Sequence, residues 1–306
     1  MKKDILNLLD LQKDEVLWLI QRCKYYKSRY KNGQTEDCLK GKVLGLLFEK
    51  ASTRTRLSFE SAMLQMGGGS IFINSKDSQL SRNEPISDTA RVLSGYLDVL
   101  AVRTYSQDIV NEFAAYASIP VINALTDKYH PCQILSDIFT VIENKDRYND
   151  LKIAWIGDGN NVAHSWINIA SILGLNLHIA CPKGFYPDKQ IIEDSLSKRC
   201  GQIKITEDPY EALFDADVIN TDVWASMGQE EETEHRKKIF QPYQINKDII
   251  KNAKEDCIIL HCLPAHRGEE ITDDIIESKN SVIWEQAENK LHMHKAVLEL
   301  LVLNKS

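Results

Sequence analysis

The sequence is short of positive charge. Its 37 lysines and arginines are outnumbered by 44 aspartates and glutamates, leaving a formal net charge of -7. A broad nucleic-acid-binding face is thereby excluded, because phosphate backbones demand clustered cations, whereas a small anionic ligand needs only a few local arginines. Apolar runs of membrane-spanning length are also missing, and the opening Met1-Lys2-Lys3-Asp4 puts an acid where a secretory signal requires its apolar stretch. A cytoplasmic protein without a membrane partner is expected. The seven cysteines include no Cys-x-x-Cys pair, which fits a reducing compartment better than a disulfide framework. Internal repeats and low-complexity tracts are absent, and the charged segment 229–238 reads as a solvated loop and helix start.

What is present is ordinary globular composition, 43% hydrophobic and 26% charged over 306 residues, enough for about two domains. Apolar runs of strand length recur between helix-length segments: 43–48, 71–73, 99–102 and 121–123, then 153–156, 177–180, 203–205, 218–219 and 258–260, with 282–284 as a late addition. Continuous apolar strands separated by helices are strands covered on both faces. The expected fold is therefore α/β, with two domains, each a central parallel sheet flanked by helices. A helix over 131–143, with Pro131 at its first position, passes from one domain to the other. A final helix over 285–303 carries Leu291, Val297, Leu298 and Leu301 at helical spacing.

In such sheets ligands bind beyond the carboxyl ends of the strands. After the first strand comes Ser52-Thr53-Arg54-Thr55-Arg56 at the start of a helical pattern. Unpaired N–H groups, hydroxyls and guanidinium groups converge there on a site for a small phosphate compound, although Ser52 alone reads as a helix N-cap. The spacing is not that of a nucleotide P-loop. The third strand ends at Arg103, and the interdomain helix begins His130-Pro131-Cys132-Gln133. An imidazole beside a helix N-terminus can donate to a developing oxyanion, but a satisfied structural histidine is an equally good reading.

The second domain opens Gly157-Asp158-Gly159-Asn160-Asn161, part of a dinucleotide fingerprint, with Val162 where the pattern needs glycine. Asn160 and Asn161 either cap the following helix or hold a substrate's polar end. Asp222, at the end of another strand, either binds an ammonium group or closes an Asx turn. Cys262 is a candidate nucleophile or a buried inert thiol. The histidines at 261, 266, 292 and 294 lack zinc-ligand spacing, so no metal is expected.

Taken together, Ser52-Thr53-Arg54-Thr55-Arg56, His130-Pro131-Cys132-Gln133, Asp222 with Ser226-Met227-Gly228, and His261-Cys262-Leu263-Pro264 resemble the ornithine carbamoyltransferase family over essentially the whole chain. The resemblance implies a carbamoyl-phosphate-binding domain over 1–135, joined by the C-terminal helix 285–306 packing back on it, and an ornithine-binding domain over 136–284. It places carbamoyl phosphate at Ser52, Thr53, Arg54, Thr55, Arg103, His130, Pro131, Cys132 and Gln133, with Cys262 and Leu263 against the carbamoyl group. Gln79 is implied to reach a neighbouring subunit's site, hence a homotrimer with shared sites. Ornithine is implied at Asn161, Asp222, Ser226 and Met227. Lys290 is implied among the carbamoyl-phosphate-binding residues too; it stands where the family commonly has arginine, keeping the charge but losing the planar fork. A cis Leu263-Pro264 bond is implied as well.

The chemistry implied needs no cofactor. The neutral δ-amine of ornithine attacks the carbonyl carbon of carbamoyl phosphate, and the tetrahedral intermediate expels phosphate to leave citrulline. Arg103, His130 and Thr55 stabilise the oxyanion, Arg54 and the helix dipole receive the phosphate charge, and Asp222 and Cys262 orient the amine and favour its deprotonated form. Carbamoyl phosphate binds first and draws the domains together. Rival readings are a transcarbamylase for putrescine or an acylated ornithine, a nicotinamide oxidoreductase built on Gly157-Asp158-Gly159, and a catalytically silent sensor.

Overall fold

A computed structural model describes residues 3–75, 79–197, 201–225 and 233–303. The chain divides into two units: Met1–Ser136 with Glu288–Ser306, and Asp137–Ala287. Each is built on one parallel sheet.

In the first unit, α1 (Lys13–Lys31) precedes β1 (Val43–Phe48), α2 (Thr53–Gln65), β2 (Gly69–Asn74), α3 (Ile86–Ser94), β3 (Val99–Arg103), α4 (Gln107–Tyr116), β4 (Val121–Leu125) and the start of α5 (Pro131–Lys145). The strand order is β2-β1-β3-β4, all parallel. Strand β3 is buried throughout, as expected for a strand with helices on both faces. The second unit follows with β5 (Lys152–Ile156), α6 (Asn161–Leu173), β6 (Asn176–Ala180), α7 (Lys189–Ser197), β7 (Gln202–Thr206), α8 (Pro209–Leu213), β8 (Val218–Thr221), α9 (Thr233–Phe240), β9 (Ile258–His261) and α10 (Asp273–Ile276). Its order is β7-β6-β5-β8-β9, again all parallel.

The last helix, α11 (Ile283–Leu303), ends on the first unit. His294 stacks on Phe59 of α2 with ring centroids 3.6 Å apart, and Glu299 accepts from Arg22 of α1 at 2.7 Å. Both contacts pack α11 on helices of the first unit, as the resemblance implies.

The expected strand over 282–284 does not form. A single bridge joins Ser281 to Ile259, after which the Val282 carbonyl accepts from the Gln286 N–H at 2.8 Å. That carbonyl is already committed to the first helical turn, so the apolar run 282–284 starts α11 two residues before the expected position.

Each strand order reverses direction once: between β1 and β3 in the first unit, and between β5 and β8 in the second. At such switch points adjacent crossovers leave on opposite faces and open a crevice outside the carboxyl ends of the strands. The segments singled out by sequence, 49–56 with Arg103 and 157–161 with Asp222, lie at those two points.

Candidate active site

At the first switch point, the chain leaves β1 and turns into α2. Ser52 caps the helix by accepting from the Thr55 N–H at 3.2 Å, so the N-cap reading of that residue holds. Thr55 is buried, whereas Thr53 and Arg54 are exposed. The helix thus presents a free dipole end with hydroxyls and one guanidinium around it. The other arginine of the motif is engaged: Arg56 donates to Glu60 at 3.0 Å and lies 3.7 Å over the Phe72 ring. Lys50, also near the turn, is buried and paired with Asp127. Of the cations in this segment, Arg54 is the one held out to solvent.

Beside β1, strand β3 ends at the buried Arg103, and the Glu49 N–H donates to the Arg103 carbonyl at 2.8 Å. Arg103 lines a cavity of about 430 Å³ together with Glu49, Thr104, Leu47, Val102 and Phe113. The first turn of α5 follows β4. His130 and Gln133 there are buried; burial first, then the charges of Lys290 and Arg103 and the neighbouring His294, hold the His130 imidazole well below its usual range. A neutral imidazole can still donate one N–H to a carbonyl oxygen without carrying charge of its own. Pro131 opens α5. Cys132 is buried, its thiol pushed up to about 12 by burial, which makes it an inert packing residue. Lys290 of α11 donates to Gln133 Oε1 at 2.9 Å. Gln79 is exposed at the start of a short 3-10 helix, Gln79–Arg82.

At the second switch point, Asn160 caps α6, its Oδ1 accepting from the Val162 and Ala163 N–H groups at 2.9 and 3.2 Å. The amide nitrogen of Asn160 donates to Asp222 Oδ2 at 2.9 Å. The other carboxylate oxygen, Asp222 Oδ1, accepts from the Cys262 thiol at 3.0 Å. A buried aspartate, an amide and a half-buried thiol from the ends of three different strands therefore converge. Asn161, at the first position of α6, is half-buried. Ser226 and Met227 lie outside the described residues.

Leu263 sits at φ 57°, in the left-handed region, followed by a cis bond to Pro264. A left-handed φ costs a leucine about 1–2 kcal/mol, and a hydrogen bond holds it there. The Leu263 N–H donates to His261 Nδ1 at 2.9 Å. Because Nδ1 accepts, the ring proton is on Nε2, which donates to the buried Glu270 at 3.0 Å. With both nitrogens committed, His261 has no lone pair to offer a metal alongside Asp222 and Cys262, although the three lie close enough to suggest one.

Sequence reasoning missed several of these supports. Glu270 drew no attention, and Arg236, expected to be solvated within 229–238, is buried instead: it donates to Asp158 at 3.1 Å and lies over the Phe185 and Phe240 rings at 4.8 and 5.6 Å, while 229–232 lie outside the described residues. Burial, aided by Asp222 and opposed by Arg236, pushes the Asp158 carboxyl up to about 6. The partners are 78 residues apart in sequence, and no local pattern links them.

The partial dinucleotide fingerprint has a different explanation. A Cβ at Gly159 would lie 2.2 Å from the Pro187 nitrogen and 2.4 Å from the Tyr186 carbonyl carbon, and the Gly159 N–H donates to the Phe185 carbonyl at 2.8 Å. The chain's own backbone covers the face that a pyrophosphate needs. Gly159→Ala is expected to destabilise the protein by about 2–3 kcal/mol, since backbone cannot give way as a side chain can. Thermal unfolding checks this; an unchanged midpoint would show that the 185–187 segment does not lie against the turn.

An anion-ready helix tip and an acid–thiol–amide cluster thus stand at the switch points of the two α/β units. Residues 3–143 match the carbamoyl-P binding domain of aspartate/ornithine carbamoyltransferase, and residues 149–301 match its Asp/Orn binding domain. The chain belongs to the aspartate/ornithine carbamoyltransferase family. Within it, the similarity is to the ornithine branch. The ornithine carbamoyltransferase of Geobacter sulfurreducens is 51% identical over 99% of this chain and 100% of its own. The solved ornithine carbamoyltransferase of Pyrococcus furiosus superposes with a TM-score of 0.95 at 47% identity, covering 100% of this chain and 98% of that one. The anabolic ornithine carbamoyltransferase of Campylobacter jejuni superposes with a TM-score of 0.93 at 40% identity, covering 99% and 100%.

Proposed function

We propose that this protein is an ornithine carbamoyltransferase, joining the carbamoyl group of carbamoyl phosphate to the δ-amine of L-ornithine to give L-citrulline and phosphate. The observation that carries the reading is likeness sustained along the whole chain to proteins of that name. The direction proposed is the biosynthetic one, towards arginine; two relatives, of Pyrococcus furiosus and Campylobacter jejuni, carry the word anabolic in their names.

Carbamoyl phosphate binds at the tip of α2. Ser52, Thr53, Arg54 and Thr55 hold its phosphate, and Arg103, His130, Pro131, Cys132 and Gln133 surround its carbamoyl end. The amine nitrogen forms a bond to the carbonyl carbon, and the resulting oxyanion is met by Arg103, the neutral His130 N–H and the Thr55 hydroxyl. Collapse breaks the carbon–oxygen bond to phosphate, whose charge Arg54 and the helix dipole receive, and the departing phosphate takes up the proton that the attacking amine sheds. Such preorganised donors cost no reorganisation as charge develops. In the second unit, Asn161 and Asp222, with Ser226 and Met227, hold ornithine, while Cys262 and Leu263 lie against the carbamoyl group. The thiol's hydrogen bond to Asp222 supports an orienting role for Cys262 over a covalent one.

The active enzyme is a cytoplasmic homotrimer in which Gln79 reaches the carbamoyl phosphate of a neighbouring subunit; its exposed side chain suits that reach. No helix among the described residues is long and apolar enough to cross a membrane. Incubation with carbamoyl phosphate and ornithine, putrescine or N-acetylornithine separately tests the assignment. Citrulline and phosphate should appear with ornithine alone, and equal turnover of another amine would overturn the choice of acceptor.

A further inference from the structure

Lys290 is buried on α11, and its ammonium donates to the side-chain amide oxygen of Gln133, itself buried, at 2.9 Å. Lysine has three donors and no acceptor, so the atom it faces must be Oε1, which fixes the flip of the amide. The contact spans 157 residues of sequence and joins the last helix to the first turn of α5, three residues from His130. An ammonium bonded to the amide oxygen also strengthens the amide N–H groups as donors, because successive hydrogen bonds polarise one another. The same cation, after burial itself, helps keep His130 neutral. At this position an arginine would present a planar fork, whereas lysine offers a point charge on a flexible stem.

We propose that Lys290 acts through Gln133: it is a positioning residue that orients the Gln133 amide towards the carbamoyl end of carbamoyl phosphate, and it does not grip the phosphate group. The inference rests on the carbamoyl-transfer reading of the site. It divides the labour between two regions, with the α2 tip binding phosphate and the Lys290–Gln133 pair setting the angle of the group to be transferred.

Steady-state kinetics of the full chain decide it, using wild type, Lys290→Met, Gln133→Met and the double variant, with inorganic phosphate as a competitive inhibitor. Lys290→Met is expected to lower kcat/KM for carbamoyl phosphate by about 10-fold, the size of one hydrogen bond from a charged donor. The phosphate inhibition constant should stay within about 2-fold, and Lys290→Met should cost less than about 2-fold more once Gln133 is gone, since coupled residues do not add. Phosphate inhibition weakening in step with kcat/KM, or losses that multiply in the double variant, would overturn the proposal. Should Lys290→Met not fold, Lys290→Arg carries the test. A fork on the anion would tighten phosphate inhibition and refute the idea, whereas unchanged inhibition with lowered kcat/KM supports it. Wild type that makes no citrulline would instead remove the reading of the site itself, a result distinct from any failure of the Lys290 cycle.

Discussion

Arg54→Ala is expected to lower citrulline formation by about 10²–10³-fold, the usual loss when one preorganised donor to developing charge is removed. Arg54 is exposed on the first turn of α2, and none of the described residues forms a hydrogen bond or ion pair with its guanidinium. Its neighbours are already employed: Arg56 with Glu60 and the Phe72 ring, and Lys50 with Asp127. No other cation of that turn stands ready to take over its task. Alanine is an excellent helix former, so stability should change by no more than about 0.5 kcal/mol. Steady-state assays beside thermal unfolding separate the two effects. Near-normal turnover in a folded variant would sink the assignment of the phosphate to this helix tip.

Asp222→Asn should fall on the other substrate. The carboxylate accepts from Asn160 on one oxygen and Cys262 on the other. An asparagine keeps the shape and one of these bonds by turning its oxygen to Asn160 and its amide nitrogen towards the sulfur. The fold is therefore retained while the charge is lost. Kinetic efficiency with ornithine is expected to drop by roughly 10- to 100-fold, the worth of one charge-assisted hydrogen bond, with the KM for carbamoyl phosphate within about 2-fold of wild type. A second readout follows from the same change. Asp222 is among the influences that raise the Asp158 carboxyl to about 6, so removing its charge should move that titration downwards, visible by carboxyl NMR. Unchanged ornithine kinetics would remove Asp222 from the binding site.

Much of this site was legible in the sequence because its chemistry is local. Ser52 to Arg56 form one helical turn, and His130 to Gln133 form another, so hydroxyls, guanidinium and imidazole arrive together by chain connectivity alone. Burial was less legible. Arg54 and Arg56 are equivalent as letters, yet one faces solvent and the other is held by Glu60 and Phe72, a distinction set by β2 packing beside α2. Likewise Gly159 read as half of a dinucleotide fingerprint, and only the backbone of 185–187 lying against it revealed a packing requirement.

Alternation of apolar runs with helical segments determined by itself that the protein would hold two parallel α/β sheets, since strands apolar on both sides must be covered on both sides. The strand-end residues determined what kind of chemistry was on offer. Strand order was decided only in three dimensions: β2-β1-β3-β4 and β7-β6-β5-β8-β9 set the two switch points, and with them which loops share a crevice. The supports behind the site came the same way, among them Glu270 beneath His261, Arg236 on Asp158, and Lys290 on Gln133. Hydrogen bonds and ion pairs act over a few ångströms of space and carry no signature along the chain, so contacts between residues far apart in sequence exist only once the sheets have folded.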